Sequence, residues 1–300
     1  MNQMKDPAEN RRERKKMMTI ERFVKIEEKV KGVIGDALCR AINVNSSDFV
    51  LLMARGGYHE HLDRPDMDVT PFVLEDRLDF LMDLTRRKFF VRYLNGYVDG
   101  LKAGRQINDD EQEYELNVQM MIYAHIWESH LFLNQLARLA MIQQGKGYMW
   151  KTKLPQDGKK NFICRKIIDQ FEKTDEGMAD LIKRSYSDDF RNAFAHSTYF
   201  INGNRIQANK EALYVGPSVS IEGWEDMFVR SVLLSYNLND MLLEMKNSYV
   251  EDAGDGPIAI DMPMKHNHKE KRSVLIKPER IEGKEEKVRF RYMSKEEVEI

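Results

Sequence analysis

The chain is poor in the features that mark several common classes of protein. It has only two cysteines in 300 residues, Cys39 and Cys164, which form neither a CxxC pair nor a disulfide framework. No stretch approaches the roughly 18 uninterrupted apolar residues that a membrane helix needs. The charged first residues lack the apolar core of a secretory signal. These absences favour a reducing compartment and no membrane span, so we expect a cytoplasmic protein.

The chain also lacks a charge excess of one sign and the common ligand-binding motifs. Its net charge is −2, so no global field draws it to nucleic acid or to a membrane, and any basic surface must be local. The glycine-rich nucleotide loops and the serine nucleophile elbow are absent. The segment "HEHLDRPDMD" (59–68) is rich in histidine and acid but matches no zinc spacing. We therefore predict no metal and no cofactor.

Apolar residues recur at helical spacing through most of the chain. The pattern predicts an all-α protein: an antiparallel four-helix bundle with extra N-terminal helices and a short β-hairpin-like tail. We divide it into a basic arm (1–17), an N-terminal helical region (18–110), the helical bundle (111–250) and an extended tail (251–300). The predicted helices are 19–42, 71–104, 116–144, 161–173, 176–201 and 224–250. In the tail, "KRSVLIKPERIEGKEEKVRFRY" alternates apolar and charged residues, which predicts a solvent-facing hairpin.

The stretch "SDDFRNAFAHSTYF" (187–200) places several functional side chains on one predicted helix. Asp188, Asn192 and His196 are each four residues apart and share a face. Arg191 and His196 are five apart, roughly 140° around a regular helix, so the two side chains would not point at one atom. Long reach, a local distortion or a second copy of the chain could bring them together. Alternatively, Arg191 pairs with Asp188 or Asp189, and His196 hydrogen-bonds across the bundle.

Arg-Asn-x-x-x-His on the third helix of a four-helix bundle resembles the signature of the HEPN superfamily, over residues 116–250. The resemblance implies a homodimer in which two Arg/His pairs line one cleft. It also implies metal-independent cleavage of RNA by its own 2′-hydroxyl, leaving a 2′,3′-cyclic phosphate. Arg191 and His196 would be the catalytic pair, assisted by Asn192. A role in microbial defence or a toxin-like system, with a neutralising or regulatory protein partner, is what the family suggests.

The residue types suit that chemistry. Histidine can take and give a proton near neutral pH. An arginine fork can stabilise the negative charge that develops on the phosphorus oxygens. Glu128, on the predicted central helix, and Asp188 are candidate supporting residues that orient Arg191 or His196.

The loop after the central helix is the predicted RNA-binding surface. Its lysines would contact phosphates and its two rings would stack on unpaired bases. These residues are Lys146, Tyr148, Trp150, Lys151, Lys153, Lys159 and Lys160. The alternative is a solvated loop whose tryptophan packs against the bundle. For the whole protein, two alternatives to an endoribonuclease stay open: a non-catalytic RNA- or nucleotide-binding dimer, and a helical interaction scaffold.

Overall fold

The computed structural model describes the chain from residue 18 onward, with short gaps. The described residues are 18–64, 70–76, 78–105, 108–151, 154–155, 158–209, 216–254, 256–264, 270–281, 288–294 and 297. The predicted basic arm (1–17) and Lys153 lie outside them. No helix in the described part of the chain is both long and apolar enough to cross a membrane.

The fold is mostly helical but not purely so, which corrects the all-α prediction. The first five α-helices are α1 (Ile20–Val44), α2 (Ser46–Met53), α3 (Leu78–Lys102), α4 (Asp109–Glu128) and α5 (His130–Gln143). They are followed by α6 (Lys159–Phe162), a π-helical segment (Ile163–Ile168), α7 (Asp169–Phe171), α8 (Glu176–Ser185), α9 (Asp188–Ala195) and α10 (Ile221–Ala253). A 3-10 turn covers Glu60–Leu62.

Three small antiparallel sheets account for the departure from an all-α fold. Strands β1 (Gly57–Tyr58) and β2 (Phe72–Val73) form a pair. Strands β3 (Tyr199–Asn202), β4 (Arg205–Ala208) and β5 (Ser218–Ser220) form a second sheet. Strands β6 (Ile258–Pro263), β7 (Lys271–Arg280) and β8 (Val288–Tyr292) form a third.

The tail contains the predicted hairpin, with Arg280 opposite Val288 and Ile276 opposite Tyr292. The prediction that this hairpin faces solvent is wrong for one of its faces. Ile276, Val288 and Phe290 are buried, and β6 extends the hairpin to three strands. The alternating pattern therefore marks a sheet with one face against the core.

Two helices that the periodicity predicts as continuous are each interrupted at a serine. The predicted helix 116–144 breaks at Ser129, whose extended backbone ends α4 and whose hydroxyl accepts the Phe132 N–H that begins α5. The predicted helix 176–201 breaks before α9, where Ser187 caps the new helix. A serine side chain offers the backbone an alternative partner, which is why both breaks fall on this residue type.

The helices and the tail share one hydrophobic core. It extends from Met18 to Phe290 and includes the fully buried rings of Trp127, Trp224 and Tyr123. Helix α1 packs against α5, α8 and α10, so the predicted N-terminal region and the predicted bundle contribute to the same core. The division into domains at residue 110 stays a prediction.

A buried carboxyl lies where α1 begins against α10. Glu225 accepts a hydrogen bond from the Met18 backbone N–H at 2.8 Å and is almost completely buried. Burial raises the pKa of Glu225 from 4.5 to about 7, although the Met18 hydrogen bond and Arg22 oppose the shift. The folded state therefore holds this carboxyl in its protonated form at mildly acidic pH.

The raised pKa predicts a loss of stability as pH rises through this range. Between pH 4.5 and 7 the unfolded chain releases the Glu225 proton while the folded chain retains it, so unfolding becomes easier. This contribution is roughly 3 kcal/mol across the interval. Glu225→Gln stays neutral and should lack it. Urea unfolding of both proteins at pH 5 and 8 measures the difference, and equal pH dependence would contradict the assignment.

Candidate functional site

Helix α9 carries the Arg-Asn-x-x-x-His motif and packs against α4 and the β3–β4 strands. Ser187 begins the helix, and the Tyr123 hydroxyl accepts the Ser187 N–H at 2.6 Å. Phe190 and Ala193 are buried on the core side. Their burial fixes α9 on the bundle with Arg191 directed toward α4.

The guanidinium of Arg191 is held by partners from two helices. Its Nη1 donates to Glu128 Oε1 on α4 at 2.9 Å. Its Nη2 donates to Asp188 Oδ1 at 2.9 Å and to Asn192 Oδ1 at 2.8 Å. The Arg191 side chain is 9% exposed, and its Nε is buried without a partner among the described residues. Arg191 is thus a nearly buried cation between two carboxylates.

Asp188 is the second centre of this cluster. It accepts hydrogen bonds from Asn192 Nδ2 at 3.1 Å and from the Tyr186 hydroxyl at 2.9 Å. Lys160 approaches Asp188 Oδ2, the oxygen that Asn192 also contacts, at 3.8 Å. Burial raises the pKa of Tyr186, so this hydroxyl stays a neutral donor. Asp188 therefore anchors Arg191 and Asn192 through contacts within its own helix.

Lys159, at the start of α6, completes the cluster. Its ammonium pairs with Glu128, the same carboxylate that Arg191 contacts. Burial lowers the pKa of Lys159, and the nearby Arg191 charge lowers it further. Glu128 is 38% exposed, compared with 14% for Asp188, so the Glu128 side is the more open approach to Arg191.

Three cations and two carboxylates meet here, giving a local excess of one positive charge. Lys159, Lys160 and Arg191 supply the positive charge, and Glu128 and Asp188 the negative. An anion could gain contact with Arg191 by replacing the more exposed of its carboxylate partners, Glu128. We name these five residues the α4–α9 charge cluster.

His196 lies outside this cluster. Helix α9 ends at Ala195, and His196 is its C-terminal cap, with its backbone N–H bonded to the Asn192 carbonyl at 2.9 Å. The imidazole is exposed and makes no hydrogen bond or ion pair with any residue that the structure describes. Ser197 follows with φ of 53°, which turns the chain toward β3.

The structure therefore brings together four of the five predicted catalytic and supporting residues. Arg191, Asn192, Asp188 and Glu128 are in direct contact, and the Arg191–Asp188 pair of the alternative interpretation is present. The imidazole of His196 does not contact them within one chain. The sequence predicts a helix up to residue 201, but α9 ends at Ala195. The 140° offset of a regular helix therefore does not describe the positions of Arg191 and His196.

The predicted stacking surface is not formed by Tyr148 and Trp150, which corrects that part of the RNA-binding prediction. Both rings are buried, and the Tyr148 hydroxyl donates to the Gly56 carbonyl at 2.7 Å. Trp150 packs edge-on against Phe72 with ring centroids 5.2 Å apart. These rings anchor the loop to the β1–β2 pair. Their burial there removes a large apolar area from water, which is more favourable than leaving the rings exposed.

The lysines of the same loop lie in different settings. Lys146 donates to the Gln170 side chain at 3.4 Å, and Lys151 lies over the Tyr58 ring at 3.9 Å from its centroid. Lys159 and Lys160 belong to the α4–α9 charge cluster. Of the predicted phosphate contacts, these last two are the ones that neighbour the motif.

Tyr186 and Tyr123 are site residues that the sequence patterns miss. Tyr186 lies within the predicted helix 176–201 and is not among the predicted site residues, yet its hydroxyl donates a hydrogen bond to Asp188. Tyr123, on α4, accepts the N–H of Ser187, the residue that caps α9. The available signal was the serine at position 187, which is a typical helix-cap residue.

No group of three or more potential metal ligands occurs among the described residues. In the histidine-rich segment, His59 Nε2 lies within hydrogen-bond distance of Asp76 Oδ2, at 3.1 Å. Residues 65–68 of that segment lie outside the described residues.

Comparison with known proteins leaves the family open, since no family model, no curated protein and no solved structure matches this chain.

Proposed function

We propose that the protein is a metal-independent endoribonuclease of HEPN type, with residues 111–250 as its HEPN-like bundle. The observation that carries the proposal is the arrangement along α9. A firmly held guanidinium, Arg191, is followed within two helical turns by an exposed imidazole, His196, that has no partner among the described residues. One group supplies positive charge and the other can exchange protons with solvent or substrate.

In this mechanism His196 takes the proton of the 2′-hydroxyl as that oxygen attacks the adjacent phosphorus. The 5′-oxygen leaves with a proton taken from solvent water, the protonated His196 returns its proton to solvent, and a 2′,3′-cyclic phosphate remains. Arg191 would contact the phosphate after the phosphate replaces Glu128, its more exposed carboxylate partner. Lys159 and Lys160 would add positive charge at the same edge.

The mechanism requires two copies of the chain, because the imidazole does not reach the guanidinium within one copy. A homodimer that brings two α9 helices together would place His196 of one copy beside Arg191 of the other. Asn192 would hold the arginine fork in position, as it does through its contact at 2.8 Å. A role in microbial defence or a toxin-like system, with a neutralising partner, stays part of this proposal.

A non-catalytic RNA- or nucleotide-binding dimer is the second candidate, because Lys159 and Lys160 supply positive charge beside the motif whether or not His196 transfers a proton. Both terminal nitrogens of Arg191 are already bonded to carboxylates, and the side chain is nearly buried. Such an arginine can stabilise the fold without touching a phosphate. The helical scaffold is the third alternative, since it needs neither group.

An RNA-cleavage assay after removal of metal ions distinguishes the three candidate functions. The purified chain is expected to cleave single-stranded RNA in excess EDTA and to leave ends with a 2′,3′-cyclic phosphate, because no step needs a metal. Gel analysis and phosphatase resistance of the ends measure this. RNA that binds but stays intact would favour the second candidate, and RNA that neither binds nor breaks would favour the scaffold. Sedimentation of the same sample measures oligomeric state, and a strict monomer would contradict the shared site.

A further inference from the structure

A cavity of about 410 Å³ lies between α3 and the first half of α4. This volume is in the range of small-molecule binding sites. Among the described residues, four aromatic rings line it: Phe89, Tyr93, Tyr97 and Tyr114. Glu115 also lines the cavity, and Glu128 of the α4–α9 charge cluster is 13 residues further along the same helix. That spacing is a rise of about 20 Å, so the two features are separate.

The rings suit a flat aromatic guest. Tyr93 and Tyr97 are nearly parallel, with centroids 6.1 Å apart and planes inclined by 21°. Phe89 is 43% exposed and Tyr114 is 73% exposed, one on each helix. Large exposed rings beside a cavity mark a binding surface more often than scattered apolar residues do. A planar ligand could stack on these faces and cover area that now contacts water.

The charged side chains beside the rings determine which sign of charge the ligand should have. Arg92 and Arg105 line the cavity, and neither side chain has a hydrogen bond or ion pair among the described residues. Glu115 is engaged by the Tyr93 hydroxyl. Among the described side chains that line the cavity, two arginines against one carboxylate leave a net positive charge. Arginine side chains bind carboxylate and phosphate groups. Their positive charge would repel a quaternary ammonium ion, the ligand that an aromatic cage otherwise binds.

We propose that this cavity binds a small molecule that joins a planar aromatic ring to an anionic group. The ring lies among the four aromatic side chains, and the carboxylate or phosphate lies on Arg92 and Arg105. Nucleoside monophosphates and aromatic carboxylates both have this chemistry. The proposal does not depend on the nuclease assignment, because it uses none of the residues of the α4–α9 charge cluster.

Two glycines of the chain provide a matched test. Gly96 lines the cavity on α3, and a Cβ built there meets no atom within 4 Å. Gly96→Leu should fill the space without a clash, and leucine favours the helix over glycine. Gly32 on α1 is also exposed, and a Cβ there likewise meets no atom within 4 Å. Gly32→Leu is therefore the same change away from the cavity.

Calorimetric titration of the full chain with adenosine 5′-monophosphate and with indole-3-acetate tests the proposal. At least one is expected to bind saturably, and the one that binds identifies the source of the ring and the charge. Gly96→Leu should abolish that binding, and Gly32→Leu should preserve it. The Arg92→Gln/Arg105→Gln variant should weaken it by about tenfold or more, because hydrogen bonds to charged groups are lost. It should leave binding of uncharged adenosine or indole unchanged.

Four results would overturn the proposal. One is the absence of saturable binding by both anions. Another is an equal effect of Gly96→Leu and Gly32→Leu, which would place any binding elsewhere. The third is tighter binding of choline than of either anion, since this would reverse the assigned sign. Inorganic phosphate alone is expected to bind more weakly than the ring-bearing anions, and equal affinity would remove the role of the rings.

Discussion

Replacement of His196 by alanine is expected to lower the rate of RNA cleavage by about 10²–10⁴-fold, the usual contribution of a general acid or base. The imidazole is exposed and contacts none of the described residues through a hydrogen bond or ion pair. The free energy of unfolding should therefore change by less than about 0.5 kcal/mol. Binding of RNA should persist, because the substitution leaves Arg191, Lys159 and Lys160 in place.

The control is His61→Ala, which removes another exposed histidine from a different part of the chain. Its cleavage rate and unfolding free energy should both match those of the unchanged protein. Single-turnover cleavage and urea unfolding of the three proteins measure the two quantities separately. Cleavage by His196→Ala at the full rate would refute the assigned proton transfer, even if the protein proved to be a nuclease.

The helical periodicity was a good guide wherever a helix has an unbroken apolar stripe. The predicted helices 19–42 and 224–250 correspond to α1 (Ile20–Val44) and α10 (Ile221–Ala253). The periodicity does not predict where a helix is interrupted. The break at Ser129 is supported by a contact from its hydroxyl to the buried Asp83, 46 residues earlier in the chain. Nothing in a local pattern identifies such a distant partner.

The small sheets were missed for a related reason. Strands β3, β4 and β5 have three or four residues each, too few for a two-residue alternation to stand out. Ile206 and Ala208 are buried by contact with the helices, which favours the extended pairing over an open turn. The tail hairpin has longer strands, and its alternation was sufficient to predict it.

For the site, local spacing predicted the contacts within α9 but not its end. Asp188 and Arg191 are three residues apart, and Asp188 and Asn192 are four apart, so their contacts follow from helical geometry. Glu128 and Lys159 arrive from other helices and required the tertiary fold. The position of His196 depends on the end of α9 at Ala195, where Ser197 adopts a positive φ. A motif alone therefore could not establish whether the imidazole faces the guanidinium.

The charge cluster also makes Arg191 important for stability. Arg191→Met is expected to lower the free energy of unfolding by roughly 3–5 kcal/mol, because it removes one member of a nearly buried ion-pair network. Methionine keeps much of the apolar volume, so the lost charge dominates the effect. Asp188 would retain Asn192, Tyr186 and the more distant Lys160, but it would lose its closest cation.

A second substitution distinguishes lost charge pairing from lost packing. Asp188→Asn in the Arg191→Met background should recover part of the stability, because it removes the carboxylate charge left without Arg191. Arg184→Met is the matched control. Arg184 pairs with Asp180 on the exposed face of α8, so its loss should cost less than about 1 kcal/mol. Urea unfolding measures all four proteins. If Arg191→Met cost no more than Arg184→Met, the guanidinium would be free to leave its carboxylates, and the structural objection to its direct contact with phosphate would disappear.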